Sequence, residues 1–191
     1  SNVISELYPD AMIENVEIDP AVIKVARDYF AFKENDKVTS KVQDGRIFIK
    51  RAAIQQAKYD WIILDAFNGD YIPEHLLTKE FFAEVKSVLA DGGVVAANTF
   101  SSSKLYEHES ATYEAVFGDF INVSTEKNSN RIILAGFNKF PSPVQLAQRI
   151  EKLTPLLAPY RVDIKAVSEG MISTKDNKDW PSDTKVLLLL K

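Results

Sequence analysis

Short apolar runs alternate along the chain with longer amphipathic stretches, and that alternation predicts the elements. Residues 3–8 read as the end of a helix stopped by Pro9-Asp10, and Ile13 to Ile18 as a short strand. Asp19 and Pro20 suit the cap and first turn of a helix from Ala21 to about Phe32, with Val22, Val25, Ala26 and Tyr29 on one face. Lys37 to Val42 reads as the next strand, followed by a helix carrying Ile47, Phe48 or Ile49, Ala52 and Ala53. Trp61 to Leu64 is an apolar run too short for a helix and rich in strand-formers. It predicts a strand buried on both faces, with Trp61 in the core. Thr78 caps a helix to about Leu89, Asp91-Gly92-Gly93 turns, and Val94 to Asn98 is another buried strand. A helix over 101–117, with Tyr106, Tyr113 and Phe117 as core contacts, precedes two strands, Phe120 to Thr125 and Arg131 to Phe137, joined by a hairpin turn at Lys127-Asn-Ser-Asn130. One further helix, about Pro143 to Leu157, leads into a less regular tail whose Val186–Leu190 run suits an edge strand.

Strands and helices thus alternate to about residue 117 and a β-hairpin closes the series. This is an α/β doubly wound sheet with one late antiparallel element. Residues 1–140 read as the α/β domain, and 141–191 as a helix and tail packed on it.

Three successive strands of this series end in an acid: Glu17, Asp44 and Asp65. Ligands of open α/β sheets bind outside the carboxyl ends of the strands, so these acids are expected to line one crevice. An acid after such a strand can accept hydrogen bonds from both ribose hydroxyls. An Asp followed by glycine, as in Asp44-Gly45, can accept from an exocyclic amine, with the glycine leaving room for close approach. Each acid taken singly also serves as a helix cap, and for Asp44 alone the cap is the stronger reading. The series of three favours a nucleoside pocket. Asp65 is followed by a loop carrying Asn68, Asp70 and Tyr71, broken by Gly69 and Pro73, and the chemistry is placed there.

Composition narrows the classes. The 191 residues fit one domain, or one with a small appendage, and 46% hydrophobic content is ample for a core. A net charge of -4 argues against nucleic acid as the main partner. The absence of cysteine excludes disulfides and thiolate metal sites. His75 and His108 are too few for a histidine cluster and read as surface residues. No apolar run reaches the length of a membrane span, and no signal peptide is visible, so a soluble cytoplasmic protein is expected.

Glu17-Ile-Asp-Pro, Gln43-Asp44-Gly45-Arg46 and Leu64-Asp65-Ala-Phe-Asn-Gly-Asp-Tyr-Ile-Pro73 resemble, in order and spacing, the spermidine/spermine synthase family over about residues 3–137. The resemblance is to the divergent, spermidine synthase-like branch. These are aminopropyltransferases on the Rossmann-like class I S-adenosylmethionine-dependent methyltransferase fold. The resemblance implies that Glu17 holds the ribose of decarboxylated S-adenosylmethionine and Asp44, with Gly45, the adenine. It implies that Asp65 takes a proton from, or orients, the attacking amine of a substrate such as putrescine, with Asn68, Asp70 and Tyr71 lining the substrate side. No metal is required, and a homo-oligomer is expected. The family's first strand and glycine-rich loop would fall before residue 1, so the chain is expected to be a truncated piece of such a protein, an inactive fragment being one reading of it. Another chain, or the tail strand, is expected to pair with the strand edges this leaves. The family's second loop acid is Asn68 here, with Asp70 nearby. Two alternatives stay open: an S-adenosylmethionine-dependent methyltransferase, and a non-catalytic binding module of the same fold.

Overall fold

The fold is that of a computed structural model describing residues 1–66, 71–124 and 130–189. The chain divides into two compact units, Ser1–Ala52 and Ala53–Lys191.

The first unit opens with the short helix α1 (Asn2–Leu7) and the strand β1 (Ile13–Glu17). Next come α2 (Pro20–Tyr29), β2 (Val38–Val42) and α3 (Gly45–Ile54), whose last turn crosses the unit boundary. β1 and β2 pair in parallel, Ile13 opposite Val38 and Glu17 opposite Val42. Asp19 accepts from the Ala21 N–H at 2.8 Å and Pro20 occupies the first turn, which starts α2 where the sequence predicts. The buried side chain of α2 is Ile23. Val22, Val25 and Tyr29, expected to be its core face, are exposed. At about 100° per residue, a helix resting on Ile23 turns those three positions outwards. In α3, Arg46, Ile49 and Ala52 are buried and Ile47 is exposed.

The second unit holds β3 (Tyr59–Leu64), α4 (Lys79–Ser87), β4 (Leu89–Phe100), α5 (Tyr106–Phe117), β5 (Ile121–Ser124) and β6 (Asn130–Ala135). It ends with α6 (Pro143–Leu157), α7 (Ile164–Glu169) and β7 (Met171–Ser173). The strands form one mixed sheet in the order β3-β4-β6-β5-β7; β3 and β4 are parallel and the other neighbours antiparallel. The glycine turn expected at residues 91–93 is absorbed into β4 as an irregularity, where the register with β3 shifts. Gly92 has φ +71°, and a Cβ on Gly93 would lie 3.0 Å from the Ala90 carbonyl oxygen, so both positions need glycine. The core packs Phe82, Val85, Val95, Phe120 and Ile133, all fully buried, with the Phe82 ring tilted by 31° against Tyr113 of α5, the ring centres 4.0 Å apart.

Two further expectations are corrected. β3 is not buried on both faces: Ile62 is buried, but Trp61 is 51% and Ile63 54% exposed. Alternate residues of a strand face opposite ways, and one face of β3 is left open to solvent. Among the described residues the tail forms no edge strand over 186–189; it runs as a strap past α4 and α5. The Lys79 N–H donates to the Leu187 carbonyl at 2.8 Å, the Leu187 N–H to Thr112 Oγ1 at 2.9 Å and the Leu189 N–H to Glu80 Oε2 at 3.0 Å. Lys79 opens α4, where a free backbone N–H needs an acceptor, and the strap supplies one. The sheet edge is instead taken by β7. Among the described residues β1 pairs only with β2, and β3 only with β4. Of the predicted hairpin turn, residues 127–129 lie outside the described residues.

Candidate functional site

In the first unit the two acids follow the carboxyl ends of paired strands. Glu17 ends β1, and its Oε1 accepts from the Asp19 N–H at 2.9 Å, closing the turn into α2. The Gln43 N–H donates to the Glu17 carbonyl at 3.0 Å, so the two strands leave the sheet side by side. Asp44 Oδ1 accepts from the Ile47 N–H at 2.9 Å and so caps α3. Capping and ligand binding are compatible here. A carboxylate has about four acceptor sites, and the turn bond of Glu17 uses one of them. Gly45 keeps the approach open, since a Cβ built there meets nothing within 4 Å.

In the second unit Asp65 follows β3 directly and is exposed. Its Oδ1 accepts from Asn98 Nδ2 of β4 at 2.9 Å, and Asn98 Oδ1 accepts from Asn130 Nδ2 of β6 at 3.1 Å. The register explains this grouping. Trp61 lies opposite Val94, Ile63 opposite Ala96, and Ala96 opposite Leu134. One step further along the same face come Asp65, Asn98 and, diagonally, Asn130. An apolar stripe across three strands therefore turns polar at their common end. Tyr71 is described and exposed, whereas Asn68 and Asp70 lie outside the described residues.

The opposite face of the same ladder holds a second polar group. Arg131 and Glu109 are 1% and 2% exposed, with Arg131 Nη2 2.7 Å from Glu109 Oε2. Arg131 Nε donates to Thr99 Oγ1 at 3.1 Å and Nη1 to Ser110 Oγ at 2.7 Å, while the guanidinium sits 4.0 Å from the centre of the Tyr106 ring. Burial pushes the Glu109 carboxyl above its ordinary value and outweighs the opposing pull of Arg131. Tyr106 donates to Asp179 Oδ2 at 2.6 Å. Sequence reasoning passed over both the Asn98–Asn130 pair and the Arg131–Glu109 pair. Asn98, Asn130 and Arg131, polar positions in the apolar strands β4 and β6, were the available signal.

Among the described residues, no helix is long and apolar enough to cross a membrane.

Comparison with known proteins assigns the family. The model of the spermine/spermidine synthase domain matches residues 4–127. The polyamine aminopropyltransferase of Vibrio vulnificus (strain CMCP6) is 44% identical over 185 residues, covering 96% of this chain and 61% of that protein. Thus the chain spans about three fifths of that relative's length. Among solved structures, a probable spermidine synthase from Corynebacterium glutamicum superposes with a TM-score of 0.69 at 21% identity, covering 98% of this chain and 67% of that one. Human methyltransferase-like protein 13, in complex with SAH, gives 0.69 at 22% identity, covering 95% and 79%. These two likenesses show the fold, the α/β sheet shared by class I S-adenosylmethionine-dependent methyltransferases and spermidine synthases. With its family model spanning the three acid-bearing strand ends, the chain belongs to the spermine/spermidine synthase family.

Proposed function

We propose that the chain carries the nucleoside-holding and amine-holding residues of a polyamine aminopropyltransferase. The reading is carried by the exposed Asp65 at the end of β3, one carboxylate oxygen tied to Asn98. When bound, decarboxylated S-adenosylmethionine supplies an aminopropyl group activated by its sulfonium. Glu17 accepts hydrogen bonds from the ribose through the acceptor sites its turn leaves over, and Asp44 accepts from the adenine amine beside the open Gly45. Asp65 accepts a hydrogen bond from the substrate amine and orients its nitrogen. It also takes the proton the nitrogen must lose before it can act as a nucleophile. Asn68, Asp70 and Tyr71 are assigned to the substrate side, with Asp70 as the spare negative charge for a cationic diamine such as putrescine.

The test is a product assay. Incubation with decarboxylated S-adenosylmethionine and putrescine is expected to release methylthioadenosine, and the release should depend on Asp65. Release of S-adenosylhomocysteine from S-adenosylmethionine, with no methylthioadenosine, would replace this reading by methyl transfer on the same fold. Tight methylthioadenosine binding with neither product would leave a binding module.

A further inference from the structure

We propose that Asn98 and Asn130 are positioning residues for Asp65, acting in series as a one-way hydrogen-bond ladder across β3, β4 and β6. The proposal rests on the reading of Asp65 as the amine-holding acid and adds two residues to it. An ionised carboxylate only accepts hydrogen bonds, so the amide of Asn98 must turn Nδ2 towards Asp65 Oδ1, as the 2.9 Å contact has it. That leaves Asn98 Oδ1 facing the other way, where it needs a donor. Asn130 Nδ2 supplies one at 3.1 Å. Each amide thus fixes the orientation of the next, and the direction of the ladder is set by the acid at its end.

Two consequences follow for the acid. With Oδ1 held by Asn98, Oδ2 is the oxygen left to meet the amine. The carboxylate plane is also tied to the β4–β6 ladder, where Asn98 lies opposite Ile132 and Phe100 opposite Asn130. The end of β3 and the Tyr71 side of the loop therefore do not alone decide where the acid points. A strand provides a firmer mount than a loop, and small misplacements of a reacting group are expensive in rate.

The experiment compares wild type, Asp65→Asn, Asn98→Leu, Asn130→Ala and the Asn98→Leu/Asn130→Ala double variant. Asn98→Leu keeps the bulk of the side chain and removes its donor. It is expected to lower kcat about 10–100-fold while KM for the amine and the thermal midpoint stay nearly unchanged. Asn130→Ala should cost less, and the double variant should match Asn98→Leu, because Asn130 acts only through Asn98. Where Asp65→Asn lowers turnover, a full kcat in Asn98→Leu, a loss confined to KM or to stability, or independent costs in the double variant would overturn the ladder. Side-chain amide NMR gives a readout that needs no turnover. The Asn98 amide signal should move on Asp65→Asn, and the Asn130 amide signal on Asn98→Leu; unmoved signals overturn the proposal whatever the assay shows. If Asp65→Asn keeps full turnover while the amide signals move as expected, the ladder stands and it is the amine-holding reading of Asp65 that fails.

Discussion

Asn98 and Thr99 are neighbours on β4, as are Asn130 and Arg131 on β6, yet each pair is split between two opposite environments. On the open face, Asp65, Asn98 and Asn130 form an exposed chain of hydrogen bonds beside water. On the covered face, Arg131, Glu109, Thr99 and Ser110 form a sealed cluster under α5. The same chemistry has different consequences on the two sides. A charge taken out of water must be met by its partners, so each member of the covered cluster is needed for the fold. Exposed polar groups can fall back on water, so the open chain adds little to stability. What it sets is direction.

The contrast can be broken most severely at Glu109. Glu109→Ala leaves Arg131 charged and buried without its carboxylate, and is expected to destabilise the second unit by about 3–5 kcal/mol. Urea unfolding would measure it, and an unchanged midpoint would refute the distinction between the faces. Asp65→Asn is the counterpart on the open side. Turnover should fall about 10²–10⁴-fold, with the urea midpoint within about 0.5 kcal/mol of wild type. A large stability loss there would show that the open face is structural as well.

How much of this was legible in the sequence depends on what each residue answers to. The strand ends at Glu17, Asp44 and Asp65 were legible because hydrophobic runs and helix caps are local. Asp19 and Thr78 cap their helices as read, Asp44 also proves to cap α3, and the antiparallel pairing of β5 with β6 followed from the closing of the series. The exposure of Trp61 and Ile63 was not legible, because an apolar run says nothing about which of its faces is covered. Nor was the Arg131–Glu109 pair. Its members lie 22 positions apart on a strand and a helix, and only the packing of α5 on the sheet brings them together. Asn98 was legible only as the last residue of a buried strand, and its meaning depends on the register with β3. Asn68 and Asp70 fall outside the described residues, so the substrate side of the loop rests on sequence.

Smaller effects sharpen the comparison. Glu17→Gln replaces an acceptor with a neutral amide in the first unit. Each charged hydrogen bond it gives up is worth about 1.5–3 kcal/mol, so methylthioadenosine affinity, followed by calorimetry, should drop by that amount while the Asp65-dependent rate constant changes little. The smallest effect is a slope with pH. The Glu109 carboxyl is raised above 4.5 by burial, so the folded chain holds this proton to higher pH than the unfolded chain does. Its contribution to stability is full below about 4.5 and is lost as pH rises through the folded value. The wild-type urea midpoint should therefore decline across that window relative to Glu109→Gln, which has no proton to release. Parallel slopes would show that the carboxyl titrates alike in both states.

The strap over α4 and α5 has a consequence in time. Thr112 waits for a partner 75 positions downstream, and Glu80 for one 109 positions downstream. Contacts that distant in sequence close late, because the intervening chain must first be gathered in. On a ribosome, α4 and α5 emerge long before residues 187–189 are made, so the second unit stays open at that side until synthesis has passed them. Its final closure is set by the arrival of those residues rather than by the speed at which its own helices form.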